Sequence, residues 1–171
     1  MREPDAAVLR VTYMELREPP SPAAQRTGPE RIEREHLSLG EYLTLYRKVG
    51  EPLRWDQRLL MPEAELRALL EGNALDIYVL RNAPGRALGL CEFDRSAFPE
   101  IELKNFGLIP EAQGSGLGTW LLAVSLFEEW KSSPRRIWLH TDTWDHPAAI
   151  PVYQRAGFRV YDVRYEAPGM L

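Results

Sequence analysis

The chain has 171 residues, 44% apolar and 27% charged, a balance that predicts one domain over residues 1–171 with a full-sized core. A net charge of −4, with acidic and basic residues interspersed, argues against a nucleic-acid partner, because phosphate contacts come mainly from clustered Lys and Arg. No apolar run approaches the roughly 20 residues of a membrane span, and Met1 to Arg10 lacks the apolar block of a secretory leader, so the expectation is a soluble, cytoplasmic protein with no membrane partner.

Val8 to Leu16 alternates as a first strand, with Leu9, Val11 and Tyr13 on one face. Residues 17–37 are Pro-rich and polar and predict an exposed excursion to which no element is assigned. Ser38 and Glu41 form a capping-box pattern, and Tyr42, Leu45, Tyr46 and Val49 then recur at the i, i+3, i+4 and i+7 positions of a helix that Gly50 ends. A second short helix begins near Pro62, buries Leu66, Leu69 and Leu70, and stops at Gly72. Leu75 to Leu80, Ala87 to Phe93 and Ile101 to Leu108 read as strands, and the short links between them, "RNAPGR" among them, favour an antiparallel meander. Cys91 is the only cysteine, which excludes an internal disulfide; inside a strand it is expected as a small buried side chain.

A helix follows to about Lys131, with Leu117, Trp120, Leu121, Val124 and Phe127 as its apolar face. Ile137 to Leu139 is a short buried strand, "DHPAAIPVYQRAGF" a helix closed by Gly157, and Phe158 to Tyr165 a last strand. Strands alternating with helices imply a crossover and a partly parallel region. The class is α/β in the α+β sense of a mixed sheet: an antiparallel meander joined to a βαβαβ half.

Between the meander and its first helix lies "EAQGSGLGTWLL", Glu111 to Leu122. A glycine loop leading into a helix leaves backbone N–H groups uncovered, and the helix start adds unpaired donors and a positive dipole end. Gly114, Gly116 and Gly118 remove the Cβ atoms that would keep a phosphate away. A Walker loop needs a Lys where Thr119 stands, and Gly114-Ser115-Gly116-Leu117-Gly118 does not fit the G-x-G-x-x-G of a dinucleotide fold.

Gln113, Gly116 and Gly118 do match, in register, the Q/R-x-x-G-x-G/A pyrophosphate loop of the GNAT superfamily of acyl-CoA-dependent N-acyltransferases. "YQRAGF", Tyr153 to Phe158, resembles the Y-x-x-x-G-F that closes the same family's fourth helix. The resemblance covers residues 75 to 165 and implies a GNAT-like fold, with acetyl-CoA as co-substrate and a small-molecule amine, or a protein or peptide amine, as acceptor. It also admits a homodimer. By that likeness the backbone at Leu108, Ile109 and Pro110 aligns the pantetheine arm, with Leu108 the donor to the thioester carbonyl. Gln113 and the amides of Gly114, Ser115, Gly116, Leu117, Gly118 and Thr119 would hold the pyrophosphate, and Tyr153 would protonate the departing thiolate.

Glu102 aligns with the strand glutamate that serves as base in the histone-acetylating branch of the superfamily. Strand alternation puts Glu102, Lys104, Phe106 and Leu108 on one face, which fits a base beside the thioester and equally a surface carboxylate paired with Lys104. His146 stands where the family commonly carries an Asn. His140, Asp142, Asp145 and His146 match no strong metal spacing, so no metal is expected. Asp145 is instead read as the cap of the following helix, with Pro147 in its first turn. Arg54, Trp55 and Arg58 fall where the family builds its acceptor pocket; Trp55 reads as cover for the sheet or as a pocket wall. The reading is of an N-acetyltransferase working by direct attack on the thioester, with a non-enzymatic acyl-CoA sensor of the same fold as the alternative.

Overall fold

The computed structural model describes residues 8–167, so the outermost residues of the predicted domain lie outside the description. Seven strands form one mixed sheet: β1 Leu9–Leu16, β2 Arg31–Arg34, β3 Leu75–Arg81, β4 Ala87–Asp94, β5 Glu100–Leu108, β6 Arg136–Asp142 and β7 Arg159–Glu166, in the order β2-β3-β4-β5-β6-β1-β7. The five helices are α1 Leu39–Gly50, α2 Gln57–Leu60, α3 Glu63–Glu71, α4 Leu117–Trp130 and α5 Ala149–Arg155. Among the described residues no helix is long and apolar enough to cross a membrane.

The meander β3-β4-β5 is antiparallel as expected, and Cys91 at its centre is buried. α1 is set by its capping box, Glu41 N donating to Ser38 Oγ at 3.2 Å and Ser38 N to Glu41 Oε2 at 3.3 Å. Tyr42, Leu45, Tyr46 and Val49 form its buried stripe. α1 packs on the sheet face of Glu92, whose carboxylate takes the Tyr42 hydroxyl. α4 packs on the opposite face, where Tyr78, the cross-strand partner of Cys91, meets Glu129.

Three local readings change. The excursion is not structureless, because Arg31–Arg34 pairs antiparallel with β3 and forms the sheet's edge; its side chains, half-buried at most, carry no apolar alternation, so only the backbone reveals it. α4 buries Leu117, Leu121, Leu122, Ser125, Leu126 and Glu129, whereas Phe127 stays 37% exposed. That face is rotated from the apolar one because two polar side chains are satisfied inside it, Ser125 Oγ by Leu121 O and Glu129 by Tyr78 and Arg95. At α5, Asp145 is not the cap: the helix starts at Ala149, Asp145 closes the preceding turn through Thr141 and the amide of Asp142, and His146 Nδ1 accepts from Ala148 N at 3.0 Å.

The position of β1 has no local signal. It runs antiparallel between β6 and β7, so the two last strands share a direction without touching.

Candidate active site

β5 and β6 run parallel and pair only from Glu100–Glu102 to Arg136–Trp138, although the strands continue to Leu108 and Asp142. Beyond Glu102 they part. The parting coincides with a bulge: Asn105 faces Glu92 and Leu103 faces Phe93 on β4, leaving Lys104 as the extra residue. The bulge reverses the alternation. Leu103, Phe106 and Leu108 point to the face of α4 and α5, while Asn105 points to the face of α1, donating from Nδ2 to Glu92 Oε2 at 2.9 Å. Glu102, opposite Asp94, lies on the α1 face and not with Leu108, which corrects the simple alternation. The wedge between the strands opens into a cleft of about 710 Å³ reached from both sheet faces.

At one end of the cleft sits the glycine loop. Gly114 and Gly116 have φ of +88° and +81°, and Gly116 is the N-cap residue just before α4; glycine is required there because a side chain disfavours the left-handed region. The amides of Leu117, Gly118 and Thr119 precede the first intrahelical acceptor bond, made by Trp120 N to Gly116 O, and are the unpaired donors of a helix start. Arg26, from the N-terminal excursion, reaches this loop. Its guanidinium donates twice to Ser115 O, each at 3.3 Å, and lies 5.9 Å from the Trp120 ring centroid.

On the α5 side, Tyr153 is 7% exposed, and its ring lies between Phe106 and Phe158 at 5.9 and 5.8 Å. Burial, reinforced by Asp145, holds the phenol far above its usual pKa, so it remains protonated at any working pH.

The opposite side is held by a buried ion pair. Arg58 Nη2 meets the fully buried Glu92 at 2.6 Å, and Tyr42 donates to the same carboxylate. Glu92 overcomes the penalty of burial and keeps the guanidinium charged, while burial pushes the Tyr42 phenol up. This anchor draws α2 onto the sheet and lays Trp55 along the cleft, packed also against the core. Close approach here depends on Gly107, where a Cβ would come within 2.6 Å of Val49. Arg54 reaches across to Trp144 on the β6–α5 turn, 4.8 Å from the ring centroid. His140 lines the same side, its Nε2 3.7 Å from Glu102 Oε1.

The family model for the acetyltransferase (GNAT) family matches residues 40–158. The chain belongs to the GNAT acetyltransferase family. None of the curated proteins compared with it matches. Solved GNAT structures share the fold: a GCN5-related N-acetyltransferase from Sphaerobacter thermophilus at 21% identity and TM-score 0.61, covering 92% of this chain and 50% of that one. A tandem GNAT protein from the clavulanic acid biosynthesis pathway superposes at 18% identity and TM-score 0.67, covering 95% and 53%. An aminoglycoside acetyltransferase from an uncultured soil metagenomic sample, in complex with sisomicin, superposes at 14% identity and TM-score 0.60, covering 75% and 88%. The chain thus spans about half the length of the first two.

Within this GNAT chain the cleft wall gathers Leu108, Gln113, Gly114, Gly116, Gly118, Thr119 and Tyr153 from the expected set. Ile109 is fully buried with its N–H given to Leu88 O, and Leu117 belongs to the core. Pro110, Ser115 and Glu102 stand off the wall; Glu102 instead contacts two residues that form it, Lys104 and His140. Sequence reasoning missed Arg26, Asn105 and Trp144 as neighbours of the site, and considered His140 only as a metal ligand. The period-2 spacing of His140 and Asp142 on one strand face was the available signal for the last.

Proposed function

We propose that this protein transfers an acetyl group from acetyl-CoA to a primary amine by direct attack, without an acyl-enzyme. The observation that carries the reading is the wedge between β5 and β6, bounded by an anion-ready loop at one end and flanked by Tyr153. In this reading the loop amides from Gly114 to Thr119 hold the diphosphate of CoA, and the pantetheine arm runs along Leu108 into the wedge.

The amine lone pair attacks the thioester carbon, the carbonyl π pair moves onto oxygen, the cationic nitrogen gives up one proton to a base in the cleft, and a backbone N–H at Leu108 supports the oxyanion; such a donor lowers the barrier by about 3 kcal/mol. As the C–S bond breaks, Tyr153 gives its proton to the sulfur. The same burial that keeps the phenol protonated disfavours a bare thiolate beside it, which brings the two groups closer in proton affinity. Cys91, buried and with its thiol pushed above its usual pKa by burial, is unsuited to an acyl relay. The acceptor enters from the face of Trp55 and Trp144, whose aromatic walls suit a cationic or aromatic amine, whether a small molecule or a peptide terminus. The protein acts in the cytoplasm and admits a homodimer.

The test is acetyl-CoA turnover against a broad amine library, followed by released thiol. An acetyltransferase yields at least one acceptor, and Tyr153→Phe lowers kcat on it with little change in acetyl-CoA affinity. Unchanged kcat in that variant removes the acid role. A protein that binds CoA, displaced by adenosine 3′,5′-bisphosphate, but turns over no amine is a sensor of the same fold.

A further inference from the structure

Glu102 does not itself reach the cleft wall; His140 stands between them. The two side chains share one sheet face, because Glu102 is in register with Trp138 on β6 and His140 follows two residues later. Tyr153 and Phe106 lie on the other face. A thioester carbon held in the wedge therefore has Tyr153 on one side and His140 on the other.

We propose that His140 takes the proton from the attacking amine, and that Glu102 is a positioning residue that stabilises the resulting imidazolium. This rests on the acetyltransferase reading above. The imidazole is packed between Tyr13 and Trp138, with ring centroids at 5.8 and 6.3 Å, which fixes its plane. Its charged surroundings come from every element around it: Glu102 and Lys104 of β5, Asp145 of the β6–α5 turn, and Glu166 of β7, which also accepts from the Tyr13 hydroxyl. Burial lowers its pKa below the usual 6.5; Lys104 acts the same way and the carboxylates oppose it, so the ring is neutral near pH 7 and free to accept. Asp142 and Asp145, the nearby carboxylates of the cleft, are engaged by the turn: Asp142 accepts from Trp144 N at 2.7 Å, and Asp145 from Thr141 and the Asp142 amide.

Nε2 is the ring nitrogen nearer Glu102, 3.7 Å from Oε1; in the proposed step it carries the hydrogen and the Nδ1 lone pair is the acceptor. The neutral amine forms the C–N bond, its nitrogen becomes cationic, and that N–H proton passes to Nδ1. Collapse of the oxyanion expels the thiolate, which takes the Tyr153 proton. Solvent then removes the proton from His140 and restores the one on Tyr153.

Three histidines are present, His36, His140 and His146, so ring-proton NMR titration with His140→Gln as the assignment control reads this imidazole directly. The expected result is an inflection below 6.5 in the wild type and a lower one in Glu102→Gln, since the carboxylate that supports the cation is gone. For an alkylamine acceptor, log kcat/KM against pH should climb with a slope of about 2 below the His140 inflection and about 1 above it, because both the amine and the imidazole must lose protons. His140→Gln should leave a slope of about 1 throughout and lower kcat by about 100-fold. A steeper acid limb that persists in His140→Gln, or a titration that Glu102→Gln leaves in place, overturns the assignment. A wild type that turns over no amine overturns the acetyltransferase reading itself and this inference with it.

Discussion

Arg54 and Trp144 face each other over the cleft, the guanidinium carbon 4.8 Å from the indole centroid. They belong to segments far apart in the chain, the turn after α1 and the turn before α5. A cation–π contact at a partly exposed site is worth about 1 kcal/mol, and here it joins the two walls of the acceptor side. Trp144→Ala is expected to raise the acceptor KM by about fivefold while leaving the acetyl-CoA Kd within about twofold. Steady-state kinetics beside calorimetry separates the two; an equal change in both would place the contact on the coenzyme side.

The loop at α4 gives a second prediction. Gly116→Val puts a branched side chain at φ +81°, where L-residues are strained, at the mouth of the donor amides, and calorimetry should detect no CoA binding at concentrations that saturate the wild type. Arg26→Ala is the milder case. Its guanidinium hangs on Ser115 O, with further N–H groups that have no partner among the described residues, so its loss should weaken CoA binding severalfold at low salt and by less at high salt, where screening already reduces its pull. Equal affinity at both salt levels would assign Arg26 to tethering the excursion alone.

Arg58 and Glu92 test the stability of the acceptor wall. Arg58→Met leaves a fully buried carboxylate without its cation and should cost about 3 kcal/mol in chemical denaturation. Adding Glu92→Leu removes the stranded charge, though it also frees the Tyr42 hydroxyl and Asn105 amide that donate to it. The double variant should therefore recover part of the loss, and a double variant weaker than the sum of the single ones would contradict the isolated-charge explanation.

Glu129 supplies the pH dependence. Burial, with Asp76 adding to it, outweighs donation from Tyr78 and Arg95 and lifts its carboxyl from the ordinary 4.5 to about 7. The folded state thus binds this proton more tightly than the unfolded chain does. The resulting stabilisation is fully present below about 4.5 and is lost as pH rises through about 7. The difference in unfolding free energy between wild type and Glu129→Gln should therefore fall by about 3 kcal/mol from pH 4.5 to pH 8. A flat difference over that range would mean that Glu129 titrates as it does in the unfolded chain.

Much of the fold was legible in local pattern. The capping box of Ser38 and Glu41, the stripe of Tyr42 to Val49, and the turn before Ala87 fix their elements through neighbours close in sequence. The glycine loop was legible for the same reason, since Gly114 and Gly116 answer to a backbone angle. What escaped depends on partners far away. The bulge at Lys104 arises from pairing with β4, and it turned Glu102 to the other face. Arg26 reaches Ser115 across 89 positions, which no periodicity in a Pro-rich stretch announces. Likewise α4 hides Glu129 because Tyr78 and Arg95 wait for it, so a face chosen by apolarity alone came out rotated.

The place of β1 governs how this molecule can assemble during synthesis. Leu9–Leu16 precedes every other strand of the sheet, yet among the described residues its sheet partners are the sixth and seventh strands, made after the rest. Until Arg136–Asp142 emerges, the early segment must wait unpaired, and β7 in turn has no lateral neighbour among the described residues except that segment. Closure across more than a hundred residues, as from Leu16 to Ile137, is entropically slow. Deleting the first 16 residues would leave β6 with an open flank and β7 stranded, an invitation to intermolecular strand pairing and precipitation.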